Sequence, residues 1–301
     1  MTPSPDRYPD DHQAAFERLV ISLRPPLHRY CARMTGSVID GEDVLQEALL
    51  SATEAYAAAL PIANPEGWLF RIAHNAAVDF LRRRVRQQTM YADEEIEMLA
   101  DRGNGAADRQ IAAASLRTFM RLSVVERSAV ILMDVIGYTI QEISGILGNT
   151  VPSVKAALHR GRERLREFAA APEDHPLPML RENERARLFA YVDRFNARDF
   201  DAIRDLLADE VQLDLVSRLR RKGREEVGAY FINYAGIADW WLTAGLVDGR
   251  PAILVGDADD RSAPPRYFVL VEWADEKLVR IRDFRYARYA IEGAELAVLP
   301  R

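Results

Sequence analysis

The 301-residue chain has a single cysteine, Cys31, so no internal disulfide can staple it. A lone cysteine fits a reducing compartment. No apolar run approaches the length of a membrane span; the stretch from Ala129 to Met133 already ends at Asp134. The opening residues, MTPSPDRYPDDHQ, contain no apolar core for a signal peptide. There is no internal repeat and no low-complexity tract. Together these absences exclude membrane, secreted and disulfide-rich classes and point to the cytoplasm. What remains is the composition of an ordinary globular protein: 49% hydrophobic, 29% charged and 9% aromatic residues. The length suits about two typical domains and is ample for a buried core.

Net charge is −6, from 40 basic and 46 acidic residues. Taken alone, this argues against a nucleic-acid binder, but the sum hides a local pattern. Arg71 to Arg86 carries five arginines against Asp79. Lys155 to Arg166 carries five cations against Glu163. Between these stretches, Thr89 to Asp108 carries six acids against Arg102. Two basic patches separated by an acidic stretch call for an explanation.

Apolar spacing predicts a helix from His12 to Met34, bent or broken at Pro25-Pro26. A second helix is expected from about Asp40 to Ala59, then a loop from Leu60 to Glu66. Asn64-Pro65 is a helix start, with the proline in the first turn. The third helix carries Leu69, Ile72, Ala73, Ala76 and Phe80 on one face and ends in Arg82-Arg83-Arg84. Thr89 to Ala107 lacks periodicity and is expected to be a linker. Helices resume near Gln110, and Gly137 ends one of them. Two short helices joined at Gly148-Asn149, the second basic on its outer face, make a helix-turn-helix pattern. Pro172, Pro176 and Pro178 mark the clearest domain boundary. Beyond it, helices near Glu182–Asn196, Asp199–Leu207 and Glu225–Tyr234 accompany β-like runs. These are Val211–Val216, Trp240–Val247, Ala252–Val255, Tyr267–Trp273 and Leu278–Tyr286. Asp248-Gly249 is a hairpin signal. An α+β domain with an antiparallel, strongly curved sheet is expected there.

Three constellations carry chemistry. On Pro152–Phe168 the outward candidates are Ser153, Lys155, Ala156, His159, Arg160 and Arg162, the first of them where base contacts are usually made. The plain alternative is a helical hairpin whose charges face water. The helix beginning at Trp68 combines a tryptophan beside a loop, polar His74, Asn75 and Asp79, and a terminal arginine cluster. That set suits an unstacked base and phosphates. Its alternative is a core tryptophan and a solvated helix end. DGEDVLQE, Asp40 to Glu47, places acids on one helix and suits docking to a basic partner.

In order and spacing these segments resemble the extracytoplasmic-function (ECF) sigma factors, promoter-recognition subunits of bacterial RNA polymerase. DGEDVLQE resembles the family's core-binding segment. NPEGWLFRIAHNAAVDFLRRR resembles the segment that melts and reads the −10 element. RLSVVERSAVILMDVIGYTIQEISGILGNTVPSVKAALHRGRERLRE resembles the domain that reads the −35 element. The resemblance covers about Ala14 to Phe168. It implies that Asp40, Glu42, Asp43, Leu45, Gln46 and Glu47 face core RNA polymerase at its β′ clamp, with the β flap as a further contact. It implies that Ile62 and Asn64, in the Leu60–Glu66 loop, hold a flipped −10 base. Trp68, Arg71, His74, Asn75, Arg82, Arg83 and Arg84 would contact the melted strand. Ser153, Lys155, Ala156, His159 and Arg160 would enter the −35 major groove. The acidic linker would thread through the polymerase and mimic nucleic acid there. Ser123 stands where the family usually has proline, and Gly161 where alanine is more usual; neither breaks the apolar register.

RLFAYVDRFNARDFDAIRDLLADEV, GREEVGAYF, LVDGRPAILV and LVRIRDFRYARYA resemble a SnoaL-like domain, the cone-shaped fold of nuclear transport factor 2 and ketosteroid isomerase. In fused sigma factors such a domain is thought to regulate the sigma part in cis. The DGGGK and NPDKL motifs of one such group are absent here. All five histidines precede this domain, so no histidine-assisted catalysis is expected in it. Asp214 is the nominated cone-lining carboxylate, and Tyr230, Tyr234, Trp240, Trp241 and Phe268 are candidate pocket aromatics for a small molecule. The expected fold is multidomain: two all-α sigma domains, the second a helix-turn-helix, followed by an α+β cone-shaped SnoaL-like domain. The expected boundaries are 10–88, an acidic linker 89–109, 110–170, a Pro-rich linker 171–180, and 181–301. No enzyme activity, cofactor or metal is expected. The competing readings are a polymerase-independent helix-turn-helix regulator and a cyclase or isomerase fused to a DNA-binding module.

Overall fold

A computed structural model describes residues 8–91, 115–169 and 180–301. The chain forms two compact units, Met1–Glu173 and Asp174–Arg301. Most of the expected acidic linker, and residues 171–179 of the Pro-rich one, lie outside the described residues.

The first unit is helical. Its elements are α1 (Tyr8–Thr35), α2 (Val38–Ala59), α3 (Pro65–Tyr91), α4 (Leu116–Met120), α5 (Val124–Val130), α6 (Ile140–Leu147) and α7 (Val151–Ala169). Of the two outcomes expected at Pro25-Pro26, a bend or a break, the break does not occur: α1 runs through both prolines. Each interior proline costs about 3 kcal/mol or more. Against this, Leu27, Tyr30, Cys31 and Met34 on the same helix are fully buried, and full burial of a large apolar side chain contributes about 1.5–3 kcal/mol. Arg24, immediately before Pro25-Pro26, is tied to Glu42 of α2 at 2.7 Å. Tertiary packing therefore outweighs the local penalty.

Ser123 and Thr139 each close a reciprocal capping box, with Glu126 and Glu142 respectively, which starts α5 and α6 where they stand. After α5 the backbone widens into π turns over Ile131–Ile136 and stops at Gly137, in the left-handed region at φ 96°. Gly161 of α7 lies against α5: a Cβ there would come within 2.7 Å of Val130. This close approach is why glycine stands at that position. One continuous apolar core runs from Phe16 through Phe70, Phe119 and Ile131 to Phe168, so the helices on either side of residues 92–114 share a single interior.

The second unit packs α8 (Glu182–Asn196), α9 (Phe200–Asp205) and α10 (Arg224–Ala235) on one face of a seven-stranded sheet. The strands are β1 (Leu207–Leu215), β2 (Leu219–Lys222), β3 (Trp240–Val247), β4 (Arg250–Asp257), β5 (Tyr267–Ala274), β6 (Lys277–Asp283) and β7 (Leu296–Val298). Their spatial order is β2-β1-β6-β5-β4-β3-β7. The expected helices and strands are all present, and the Asp248-Gly249 hairpin forms with φ 50° and 76° at its two central residues. Two corrections follow. The sheet is not wholly antiparallel, because β1 lies parallel to β6. The short edge strands β2 and β7 gave no apolar pattern in the sequence, since an edge strand buries little.

Candidate nucleic-acid interface

Helix α2 sorts the expected polymerase-facing residues by its own periodicity. Glu42 and Leu45 are fully buried and Asp40 is nearly so. Glu42 accepts hydrogen bonds from Arg24 at 2.7 Å and from Gln46 at 3.2 Å. These three residues therefore hold α2 to its neighbours instead of presenting it. Gly41 does the same by having no side chain: a Cβ there would lie 2.6 Å from the α1 backbone at Ala32. The outward face consists of Asp43, Glu47 and the exposed Leu50, with Gln46 half-buried beside them.

Helix α3 does not end at Arg82-Arg83-Arg84 as expected but runs on to Tyr91, and this arginine cluster lies beside α2. Arg83 grips Glu47 with both nitrogens, at 2.7 and 3.1 Å. Arg84 reaches Asp40 at 3.4 Å, and Arg82 reaches Asp79 at 3.4 Å. All three arginines remain exposed, so each such pair contributes about 0–1 kcal/mol and opens readily to a phosphate. Asn75 is exposed as well.

The start of α3 has a different setting. Asn64 caps it, its side chain accepting from Gly67 N at 2.9 Å. Trp68 is half-buried, edge-on to Phe16 and near Tyr56, with ring centres 6.3 and 6.4 Å away. It is thus partly core and partly surface. Across from it stands α6. Arg71 donates to the Gly145 carbonyl. Tyr138 donates its hydroxyl to Glu66 at 2.6 Å, and its ring lies edge-on to Phe70 at 5.1 Å. A 550 Å³ cleft is left between the two sides, lined by Ala63, Asn64, Gly67, Trp68 and Arg71 on one and Gln141, Glu142, Gly145 and Ile146 on the other.

His74 is enclosed in the same contact. Its Nδ1 lies 2.8 Å from the Tyr30 hydroxyl and 3.4 Å from Ser128 Oγ. Burial lowers its pKa from 6.5 to about 4, so the ring is neutral near pH 7. In this arrangement His74 is half-buried against Tyr30 and Ser128. Arg127 completes the contact. Its guanidinium donates to the carbonyls of Phe119, Met120 and Leu122, and at 2.6 Å to that of Met34 at the end of α1. Burial depresses its pKa to about 10.

On α7, Ser153, Lys155, Ala156 and His159 lie on the exposed face, as expected. Arg160 is half-exposed and donates to Glu126 at 3.1 Å, and Arg164 reaches the same carboxylate at 2.8 Å. Arg162 is turned inward onto Asp134 at 2.9 Å.

In the second unit the nominated pocket residues divide between two sheet faces. Tyr230, Tyr234 and Trp240 lie under the helices. Asp214 lies on the opposite face, because it alternates with Leu213, which points into the core. Phe268 also faces away, stacked on Phe284 at 4.2 Å. The inward carboxylate is Asp283. It is fully buried, accepts from Tyr230 and Tyr234 at 2.7 Å each, and takes the backbone N–H of Arg285 at 2.8 Å. Burial raises its pKa, partly countered by these donors. The Ile281-x-Asp283 alternation was the sequence signal that could have found it.

A helical unit whose last two helices, α6 and α7, form a helix-turn-helix, with the arginine-bearing α3 beside it, fits a class of DNA-binding protein. The family profile of Sigma-70 region 2 matches residues 19–87, and that of Sigma-70 region 4 matches residues 116–165. The chain is 35% identical over 160 residues to the ECF RNA polymerase sigma factor SigM of Mycobacterium tuberculosis, covering 53% of this chain and 76% of SigM. It is 30% identical over 163 residues to the RNA polymerase sigma factor CarQ of Myxococcus xanthus, covering 54% of this chain and 94% of CarQ. A solved NTF2-like protein from Pseudomonas putida aligns over 34% of this chain and 83% of its own, at 18% identity and a TM-score of 0.26. The chain belongs to the ECF RNA polymerase sigma factors, which bind core RNA polymerase and direct it to promoters. Among the described residues no helix is long and apolar enough to cross a membrane.

Proposed function

We propose that the outward face of α2, namely Asp43, Gln46, Glu47 and Leu50, docks on the polymerase β′ clamp, with the helix-turn-helix domain on the β flap. Ile62 and Asn64 receive a flipped −10 base. Trp68, Arg71, Asn75 and Arg82–Arg84 follow the melted strand. Ser153, Lys155, Ala156 and His159 read the −35 major groove while Arg160 meets phosphate. The competition of Glu47 and phosphate for Arg83 links these events: engagement of Glu47 by polymerase releases Arg83 for DNA. The overall acidity of the chain suits this order, since the free protein then binds DNA weakly and specificity follows assembly.

The observation that carries most weight is the position of α6 across the start of α3. Arg71 and the Asn64–Trp68 edge are spent on region 4 in this arrangement. Reading of the −10 strand therefore requires that α6 leave α3, and polymerase provides two separated docking sites to hold them apart. The second unit, bounded at Asp174, acts as a cis regulator of the first. Its inward carboxylate is already saturated by two tyrosine hydroxyls and a backbone N–H, which favours a regulatory body over a cyclase or isomerase.

Run-off transcription with core polymerase, on a pool of genomic fragments, tests the assignment. The full chain and a truncation after Glu173 are both expected to start at a shared bipartite motif, with different yields. Equal yields would remove cis control. DNA binding by the chain without polymerase, and no initiation with it, would favour a stand-alone helix-turn-helix regulator.

A further inference from the structure

At one end of the second unit's sheet, three strands turn a charged face away from the helices. Register places Lys222, Gln212 and Arg280 in one cross-strand row and Arg220, Asp214 and Arg282 in the next. These rows alternate with Leu213 and Ile281, which point into the core. A pocket of 360 Å³ opens there, lined by Gln212, Asp214, Arg220, Lys222 and Arg280, with Arg221 and, from α10, Glu226, themselves 3.9 Å apart, at its edge. That volume falls within the usual range of small-molecule sites.

Asp214 is only 7% exposed, and its Oδ2 accepts no hydrogen bond. The cations nearest to it, Arg282 Nε and Arg220 Nε, stand at ion-pair distances of 3.5 and 3.6 Å. A buried acceptor without a donor is costly, so a donor at this point is a gain. Lys222 is already engaged by Glu210 at 2.5 Å. The Arg220 side chain is 71% exposed, whereas Arg280 is 39% exposed and shares its guanidinium with Glu272 at 3.6 Å, an exposed pair that opens readily. Two guanidinium forks suit phosphate oxygens. A bare anion, however, would also meet the Asp214 carboxylate. A ligand that offers a hydroxyl or N–H to Asp214 while its phosphate lies on the arginines satisfies both groups.

We propose that this pocket binds a phosphorylated, hydroxyl-bearing small molecule of the nucleotide or sugar-phosphate class. Arg220 and Arg280 hold the phosphate, and the Asp214 carboxylate accepts from the hydroxyl or N–H. The site is independent of the sigma assignment and gives the second unit an effector.

Calorimetry on the full chain with adenosine 5′-monophosphate, ribose 5-phosphate, pyrophosphate and adenosine tests it. At least one phosphorylated sugar is expected to bind with Kd below about 1 mM, and adenosine is not. Equal affinity for the nucleotide and the sugar phosphate assigns the sugar-phosphate class; a tighter nucleotide assigns the nucleotide class. The double variant Arg220→Gln/Arg280→Gln, at an exposed and a half-buried position, is expected to weaken binding at least tenfold while the chain still unfolds in one cooperative transition. No binding by either phosphorylated sugar would overturn the proposal. So would binding that survives the double variant, or pyrophosphate binding as tightly as the sugars.

Discussion

Replacing Tyr138 by phenylalanine should open the contact of α6 with α3 without unfolding either partner. The Tyr138 hydroxyl donates to Glu66 at 2.6 Å, and the ring packs edge-on against Phe70 at 5.1 Å. Tyr138→Phe removes the hydrogen bond and keeps the ring. A hydrogen bond to a charged group contributes about 1.5–3 kcal/mol. In the separated arrangement water solvates Glu66, so nearly all of the loss falls on the closed one. The equilibrium should therefore move toward the open arrangement by about 10- to 100-fold. Two labels report it, at Ser51→Cys on α2 and Glu163→Cys on α7. Both positions are exposed, and the native Cys31 is fully buried. The free wild-type chain should give one short distance; Tyr138→Phe should add a longer one, and core polymerase should convert both proteins to it. Affinity for a single-stranded −10 oligonucleotide should rise in the free variant in proportion to the open fraction. A melting temperature that falls while distance distribution and oligonucleotide affinity both stay at wild-type values would refute the reasoning. It would mean that the hydrogen bond stabilises the fold but does not gate the −10 surface.

Three further outcomes are expected. His74 has its pKa lowered to about 4 by burial, so the folded chain stays unprotonated where the opened chain takes up a proton. Stability is complete above about pH 6.5 and is lost as pH falls toward 4, by up to about 3 kcal/mol. Urea unfolding across that window should show the loss, and His74→Gln should flatten it. Gly41→Ala should destabilise the first unit by about 1–3 kcal/mol, because a Cβ would meet the Ala32 backbone at 2.6 Å. A rise in melting temperature, as helix propensity alone would give, would contradict that contact. In the second unit, Tyr230→Phe removes one of two hydroxyls held by the buried Asp283 and should cost about 1.5–3 kcal/mol. The pKa of Asp283 should rise further, read by carboxylate infrared titration.

Local chemistry decided much of this protein in advance. Asn64-Pro65 starts a helix, Gly137 stops one, and Asp248-Gly249 turns a hairpin, because each acts through the dihedral angles and hydrogen bonds of its own few residues. The resemblance of DGEDVLQE, NPEGWLFRIAHNAAVDFLRRR and the helix-turn-helix segment to sigma-factor motifs was what raised the expectation of a sigma factor. Tertiary structure decided the rest, for reasons that lie outside any short window. Pro25-Pro26 reads as a break until the burial of Leu27, Tyr30 and Met34 is set against it. The acids of DGEDVLQE read alike, yet helical periodicity and the approach of α1 bury Glu42 and expose Glu47. Asp214 and Asp283 both read as strand carboxylates. Only the parity of Leu213 and Ile281, fixed by which face the helices cover, sends one outward to Arg220 and Arg282 and the other inward to Tyr230 and Tyr234. The hold of Tyr138 on Glu66, and of Arg127 on Met34, joins residues 72 and 93 positions apart. Such contacts arise when two amphipathic surfaces find one shared core, and no local pattern encodes the partner.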